Sequence, residues 1–350
     1  MAGRRPAADT IELVASGGSG PDRREGSAVN PVLALLLGLA ALVVGAEMVV
    51  REGSALAGRF NVSPLVVGMT IVSLGTSLPE LAIGLNAARQ GNAGLAVGNI
   101  VGTNLVNILL ILGLSALIRP IAFEARTVRL DLPAMTGAAL LLFVLAVDGG
   151  LDTVDGVWLC LYGAGYLALL AVLARRESRR PAVPAAGADT TDAPVRDRPV
   201  AVRALLLVLG LAVVVVGSEY LVDGAVEIAR DLGASDAVIG LTIVAVGTSA
   251  PELVTTMVAT ARGDRSIALG NLIGSSVFNI ALILGPTVLV TPGPVPVPED
   301  VLALDLVLMV AAAVVCVPVF ITRRRLGRFE GAVFLTTYVA YMVWLLGTRL

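Results

Sequence analysis

Residues 68–118 read GMTIVSLGTSLPELAIGLNAARQGNAGLAVGNIVGTNLVNILLILGLSALI, and residues 240–290 read GLTIVAVGTSAPELVTTMVATARGDRSIALGNLIGSSVFNIALILGPTVLV. Shifted by 172 positions with no gap, 23 of these 51 positions are identical. The register extends upstream, where Gly45 meets Gly217, Glu47 meets Glu219 and Ser63 meets Ser235. A repeat of this length decides the architecture before any other feature does. Both copies are mostly apolar, yet the matched positions include carboxylates, amides, hydroxyls and prolines, which packing alone does not require.

The same apolar character runs along the whole chain. Of 350 residues, 56% are hydrophobic and 15% charged, with a mean hydropathy of +0.88; a soluble domain carries about 25% charge. Roughly 20 apolar residues span a bilayer as a helix. Ten stretches qualify: 31–50, 63–88, 93–118, 130–147, 156–174, 203–222, 237–261, 266–290, 301–321 and 331–348. The expected fold is an all-α polytopic membrane protein of ten transmembrane helices. Histidine is absent and all 25 basic residues are arginine, which excludes Ser-His or Cys-His catalysis, His-ligated zinc and an imidazole proton switch. Cys160 and Cys316 lie alone in apolar runs, so neither a disulfide framework nor a CxxC metal site is available. A net charge of −2 argues against a nucleic-acid partner.

The chain divides into a polar N-terminal tail (1–30), a first five-helix repeat (31–174), a linker (175–202) and a second five-helix repeat (203–350). Arginine, proline, alanine, aspartate and threonine dominate the linker, the composition of a disordered cytoplasmic segment. A cleaved signal peptide is the rival reading of residues 1–50, but the polar lead is long for one and the first span belongs to the repeat. Placing the linker inside and alternating outward puts 18 of the 25 arginines inside, as the positive-inside rule requires. The loop with Asp148, Asp152 and Asp155 then falls outside, as do both termini. Five spans separate equivalent points, so the two repeats enter the membrane in opposite directions. Inverted repeats of this kind build transporters whose substrate sits near the midplane, where discontinuous helices meet.

Glu80 and Glu252 are the lone acidic residues of spans 63–88 and 237–261. A carboxylate at that depth is costly and marks a functional site by default. Each follows a proline, in Gly75-Thr76-Ser77-Leu78-Pro79-Glu80 and Gly247-Thr248-Ser249-Ala250-Pro251-Glu252. Proline has no N–H for the carbonyl four residues back, and free carbonyls at membrane depth are tolerated only where they line a cavity. On a helix Ser73, Thr76, Ser77 and Glu80 share one face. The counterpart face is Ala245, Thr248, Ser249 and Glu252, where Ala245 offers only its backbone oxygen. The next span of each half adds a stripe spaced by four: Asn99, Thr103 and Asn107, then Asn271, Ser275 and Asn279. Glycines 98, 102, 270 and 274 form small-xxx-small patterns that favour close helix packing. The pocket so assembled offers oxygen donors without sulfur or imidazole, suited to Ca²⁺, Mg²⁺, Mn²⁺ or Na⁺. Glu47 and Glu219, also matched, lie near opposite surfaces and read as interfacial hydrogen-bonding groups, with gating the other reading.

These segments resemble the α-repeats of the cation/Ca²⁺ antiporter superfamily, and most of all its compact prokaryotic sodium/calcium exchangers. The GTSxPE and GNxxGxxxxN signatures occur twice, in order. The resemblance implies that Glu80 and Glu252 coordinate the ions, joined by Thr76, Ser77, Thr103 and Asn107 from one half. Thr248, Ser249, Ser275 and Asn279 would join from the other, with the main-chain oxygens of Ser73 and Ala245 as Na⁺ ligands. Some relatives, including K⁺-dependent ones, have aspartate where this chain has Asn279, which puts K⁺ co-transport in doubt. A 28-residue linker leaves no room for the large Ca²⁺-sensing region of animal exchangers.

The leading expectation is therefore a Na⁺/Ca²⁺ antiporter of the plasma (inner) membrane working by alternating access, with Ca²⁺ and Na⁺ as substrates, no cofactor and no protein partner beyond the lipid bilayer. The alternative is a H⁺-coupled exchanger of Ca²⁺, Mn²⁺ or Mg²⁺, in which Glu80 or Glu252 releases protons. A channel fits less well, because channels build a symmetric pore from several subunits while here the pseudo-symmetry closes within one chain. An intramembrane enzyme lacks an adjacent nucleophile and base.

Overall fold

Asn30 opens the first helix by accepting hydrogen bonds from the N–H groups of Val32 (2.9 Å) and Leu33 (3.4 Å), with Pro31 in the first turn, a side-chain cap of the usual kind. The computed structural model describes residues 30–179, 198–234 and 239–349. The tail expected over 1–30 lies outside them except for Asn30, and so does most of the 175–202 linker. Helix α1 covers Pro31–Arg59, and α2 (Pro64–Thr76) and α3 (Leu78–Arg89) form a pair bent by 43°. Then come α4 (Gly94–Ile118), α5 (Thr127–Ala146), α6 (Thr153–Ser178) and α7 (Val200–Asp231). The second half continues with α8, a wide turn Gly240–Val244 running into Ala245–Gly247, and α9 (Ala250–Arg262). Last are α10 (Arg265–Val290), α11 (Val301–Asp305 continued by Leu306–Arg323) and α12 (Arg328–Arg349). Among the described residues eight helices are long and apolar enough to cross a membrane, nine if the α2–α3 pair is one span. The remaining expected span, 237–261, corresponds to α8 and α9.

Several helices run past their apolar stretches. The run expected over 31–50 continues to Arg59, and that over 203–222 to Asp231. At the end of α1 the extension is held by charge: Glu52, 2% exposed, pairs with Arg203 at 3.2 Å and Arg198 at 3.1 Å. A carboxylate so enclosed needs such partners, and they fasten the start of α7 to the end of α1.

The centre belongs to α4 and α10. The most apolar windows of these two are 78% and 94% buried, against 44% or less in the other spans. Against one side of this core α1 and α7 pack on each other along a glycine seam. A Cβ on Gly38 would lie 2.4 Å from the Leu221 backbone nitrogen, and one on Gly217 2.9 Å from that of Leu42, so only hydrogen fits. Gly270 and Gly274 do the same for α10 against α2, with an added Cβ 2.5 Å from the Leu65 carbonyl and 2.2 Å from the Ser73 hydroxyl. The expectation of close packing fails at Gly98 and Gly102. Among the described residues a Cβ at Gly98 meets only Val301, at 3.8 Å, and one at Gly102 meets nothing within 4 Å.

Two short antiparallel ladders join the connections. Strand β1 (Ile121–Ala122) pairs with β4 (Arg325–Leu326), and β2 (Gly150–Leu151) with β3 (Val295–Pro296). Each ladder links one half of the chain to the other. The arginine count puts both partners of the first ladder inside and both partners of the second outside. Arg126 to Glu177 (2.7 Å) and Ser63 N–H to Glu177 (3.0 Å) likewise join segments assigned to the inside.

Candidate ion-binding site

The helix breaks foreseen at the two GTSxPE motifs are present, with nearly the same geometry. Ser77 sits between α2 and α3 with φ −87° and ψ 9°; Ser249, before α9, has φ −88° and ψ 8°. Pro79 and Pro251 fall in the first turns that follow, where a missing N–H costs nothing. Wide turns precede both breaks, at Gly68–Val72 and Gly240–Val244, again 172 residues apart. Glu80 and Glu252 thus occupy the first turns of α3 and α9, where helix dipoles favour negative charge.

Both carboxylates are fully buried, and each lies within Coulombic reach of the other. Around them Ser73, Thr76, Ser77, Thr103, Asn107, Ser249, Ser275 and Asn279 are all buried to within 2%, and Thr248 is half-buried. Ala245 opens the last turn of α8. One contact ties the halves directly: the Ser77 hydroxyl donates to Oε1 of Glu252 at 3.1 Å. The Ser73 hydroxyl reaches the carbonyls of Gly68 (2.8 Å), Asn271 (3.0 Å) and Gly270 (3.2 Å). Its own carbonyl accepts from the Ser77 N–H at 3.0 Å and the Thr76 hydroxyl at 3.3 Å. As an ion ligand that carbonyl would therefore have to release the Thr76 hydroxyl.

Most of the remaining polar atoms here find no hydrogen-bond partner among the described residues. They are both oxygens of Glu80, Oε2 of Glu252, the hydroxyls of Thr103, Ser249 and Ser275, and both amide atoms of Asn107 and Asn279. Each buried orphan costs about 1–3 kcal/mol, and a charged one more. A fold that gathers ten such atoms is built to receive something that binds them. The donor set, two carboxylates with neutral oxygens, matches hard cations. No group of three or more His, Cys, Asp or Glu placed to hold a metal ion occurs among the described residues, so neutral oxygens must complete any coordination shell.

Asn271, expected to share a stripe with Ser275 and Asn279, is different. Its amide is fully engaged, with Thr76, Thr256 and the Glu252 carbonyl as partners. Thr256 went unnoticed in the sequence although it lies four residues after Glu252, on the same helix face. Asn104, 1% exposed with both amide atoms unpartnered, also went unnoticed, since it falls outside the spacing of four. So did Asp131 with Tyr166 (3.4 Å) and Asp305 with Tyr341 (3.1 Å), similarly placed pairs in the two halves. Glu47 forms an ion pair with Arg262 at the end of α9. Glu219 is exposed.

The family model described as "Sodium/calcium exchanger protein" matches residues 30–172 and 202–347. The chain belongs to the sodium/calcium exchanger family. It is a multi-pass membrane transporter, not an enzyme. Among family relatives, the sodium/calcium exchanger MaX1 of Methanosarcina acetivorans is 35% identical, over 89% of this chain and 97% of its own length. The putative antiporter CaxA of Alkalimonas amylolytica is 34% identical, over 88% of this chain and 96% of its own. Among solved structures of the family, the sodium-calcium exchanger NCX_Mj soaked with Na⁺ and Sr²⁺ superimposes with a TM-score of 0.76. That match has 31% identity and covers 89% of this chain and 98% of the other. Membership in this family makes the chain a cation/Ca²⁺ antiporter; it does not by itself say which residues hold the ions.

Proposed function

We propose that the protein exchanges Ca²⁺ for Na⁺ by alternating access at a midplane site, with Glu80 and Glu252 as the anionic ligands. The observation that carries this reading is the cluster of buried, unpartnered oxygens at matched positions of the two halves. Thr76, Ser77, Thr103 and Asn107 contribute from the first half, and Thr248, Ser249, Ser275 and Asn279 from the second. The main-chain oxygens of Ser73 and Ala245 complete Na⁺ shells. Two carboxylates neutralise one divalent ion without a hydration shell, and Na⁺ competing for the same oxygens gives the physical basis of exchange. Ten spans in two inverted five-helix repeats, α1–α6 and α7–α12, frame this site in the plasma (inner) membrane.

The deciding measurement is Ca²⁺ uptake into proteoliposomes against an imposed Na⁺ gradient. Uptake should require internal Na⁺ and collapse when Na⁺ is replaced by choline. Uptake driven instead by a pH gradient, and indifferent to Na⁺, would replace this reading with proton coupling.

The orientation proposed with it rests on the distribution of arginines, which puts residues 175–202 in the cytoplasm. A cysteine placed at Ala186, in a chain freed of Cys160 and Cys316, should resist an impermeant maleimide applied to intact cells and react once the cells are opened. Labelling of intact cells would invert the topology.

A further inference from the structure

The two halves of the pocket share a sequence pattern but not a hydrogen-bond pattern. Asn271, fully buried on α10, accepts from the Thr76 hydroxyl at 3.1 Å through Oδ1. Its Nδ2 donates to the Thr256 hydroxyl at 3.1 Å and, at 3.5 Å, to the Glu252 carbonyl. Thr256 is itself fully buried. The equivalent amide 172 residues earlier is Asn99, and the equivalent of Thr256 is Gly84. Glycine supplies no hydroxyl, and Nδ2 of Asn99 is buried without a partner among the described residues. The space beside Gly84 is taken by Thr287, whose Oγ1 would lie 2.8 Å from an added Cβ. That hydroxyl is committed to its own helix, donating to the Ile283 carbonyl at 2.8 Å.

We propose that Asn271, held by Thr256 and the Glu252 carbonyl, is a positioning residue that presets Thr76 as a cation ligand, so that the pocket is preorganised around Thr76. The proposal rests on the ion-site reading above and deepens it. An amide can be turned end for end with almost no change of shape, exchanging a donor for an acceptor. A donor-only neighbour or an acceptor-only neighbour decides which end points where. Here the acceptor-only neighbour is the Glu252 carbonyl, which faces Nδ2; the Thr256 hydroxyl strengthens the same orientation by accepting a second bond from Nδ2, and Oδ1 faces Thr76. The single hydroxyl proton of Thr76 is then drawn to Asn271, and what Thr76 has left to offer is lone pairs, which attract a cation. With the amide reversed, Nδ2 would donate to Thr76 instead. The Thr76 proton would then fall to the Ser73 carbonyl, 3.3 Å away, and occupy an oxygen that the site needs as an ion ligand. Asn99 has no hydroxyl from Gly84 beside it, so the arrangement built around Asn271 is not repeated by the first half's amide.

The test is ion binding by the purified full-length protein, read as the concentration of Ca²⁺ alone and of Na⁺ alone that gives half-maximal thermal stabilisation. Thr256→Val keeps the shape and removes the hydroxyl; it should raise both concentrations by about fivefold to tenfold, the worth of one hydrogen bond. Thr256→Ser keeps the hydroxyl and should stay within about twofold of the parent, on the same scale of hydrogen-bond energies. If Thr256→Val does not accumulate in the membrane, Thr256→Ala against Thr256→Ser reads the same hydroxyl. Val and Ser variants that are equally impaired would mean that packing matters and the hydrogen bond does not. A Val variant that binds as the parent does would overturn the proposal outright. Glu252→Gln run in parallel separates the levels: a parent that ions do not stabilise, or a Gln variant that binds like it, removes the ion site itself.

Discussion

Glu80→Gln is expected to lower Ca²⁺ affinity by a factor of about 10²–10³ or more and to stop Ca²⁺ flux, with membrane insertion unchanged. Removing one member of a buried charge pair costs on the order of 3–5 kcal/mol, and at 1.4 kcal/mol per tenfold this reaches that range. Among the described residues neither oxygen of Glu80 has a hydrogen-bond partner, so glutamine breaks no contact seen there. The corollary runs the other way. In chelator and without Na⁺, glutamine removes an uncompensated buried charge, so the variant should melt at a higher temperature than the parent. Glu252→Gln should lose flux equally, and its remaining carbonyl oxygen can still accept from Ser77. Scintillation counting of ⁴⁵Ca²⁺ uptake together with a melting curve checks both halves of the statement. Normal flux in either variant would take that residue out of the site.

Asn279→Asp is expected to make transport depend on pH or on K⁺ where the parent's does not. Asn279 is fully buried with neither amide atom partnered among the described residues, and aspartate matches its size, so packing should hardly change. A third carboxylate beside Glu80 and Glu252 leaves the pocket with an extra negative charge once one divalent ion is bound. That excess is relieved by taking up a further monovalent cation or by keeping a proton. Na⁺-driven Ca²⁺ flux measured across a pH series, with and without K⁺, distinguishes the two. Profiles that superimpose on the parent's would show that residue 279 does not face the ions.

Much of this was legible in the chain itself, because the signals were large or came twice. Long apolar runs marked the helices, and the doubled GTSxPE motif marked the two breaks, where Ser77 and Ser249 share their torsion angles within a degree. The helix ends were less legible. Charged residues such as Arg51 and Glu52 look like the edge of a membrane span, yet the helix continues through them because Glu52 meets Arg198 and Arg203. The wide turns leave no mark in composition, and two-residue strands are too short to show alternation. The unequal roles of Asn99 and Asn271 were hidden for another reason. Each depends on a residue from a different helix, Gly84 or Thr256, and a pattern read along one stripe does not reveal what stands across from it.

The two small ladders have a kinematic consequence. One clasps the α4–α5 connection to the α11–α12 connection, and the other clasps the α5–α6 connection to the α10–α11 connection, each spanning the halves of the chain. Every helix end fastened in this way belongs to α4, α5, α6, α10, α11 or α12. The broken pairs α2–α3 and α8–α9, and the long α1 and α7, have no strand of their own in either clasp. The molecule is thus buckled at both faces along one flank and left unbuckled along the other, like a book whose spine is sewn at head and tail. Parting the halves along the sewn flank requires breaking backbone hydrogen bonds, whereas α1 and α7 are held to each other by a glycine seam and by the Glu52 ion pairs at one end. A rearrangement that keeps both ladders intact is confined to the flank of α1, α7 and the two broken pairs.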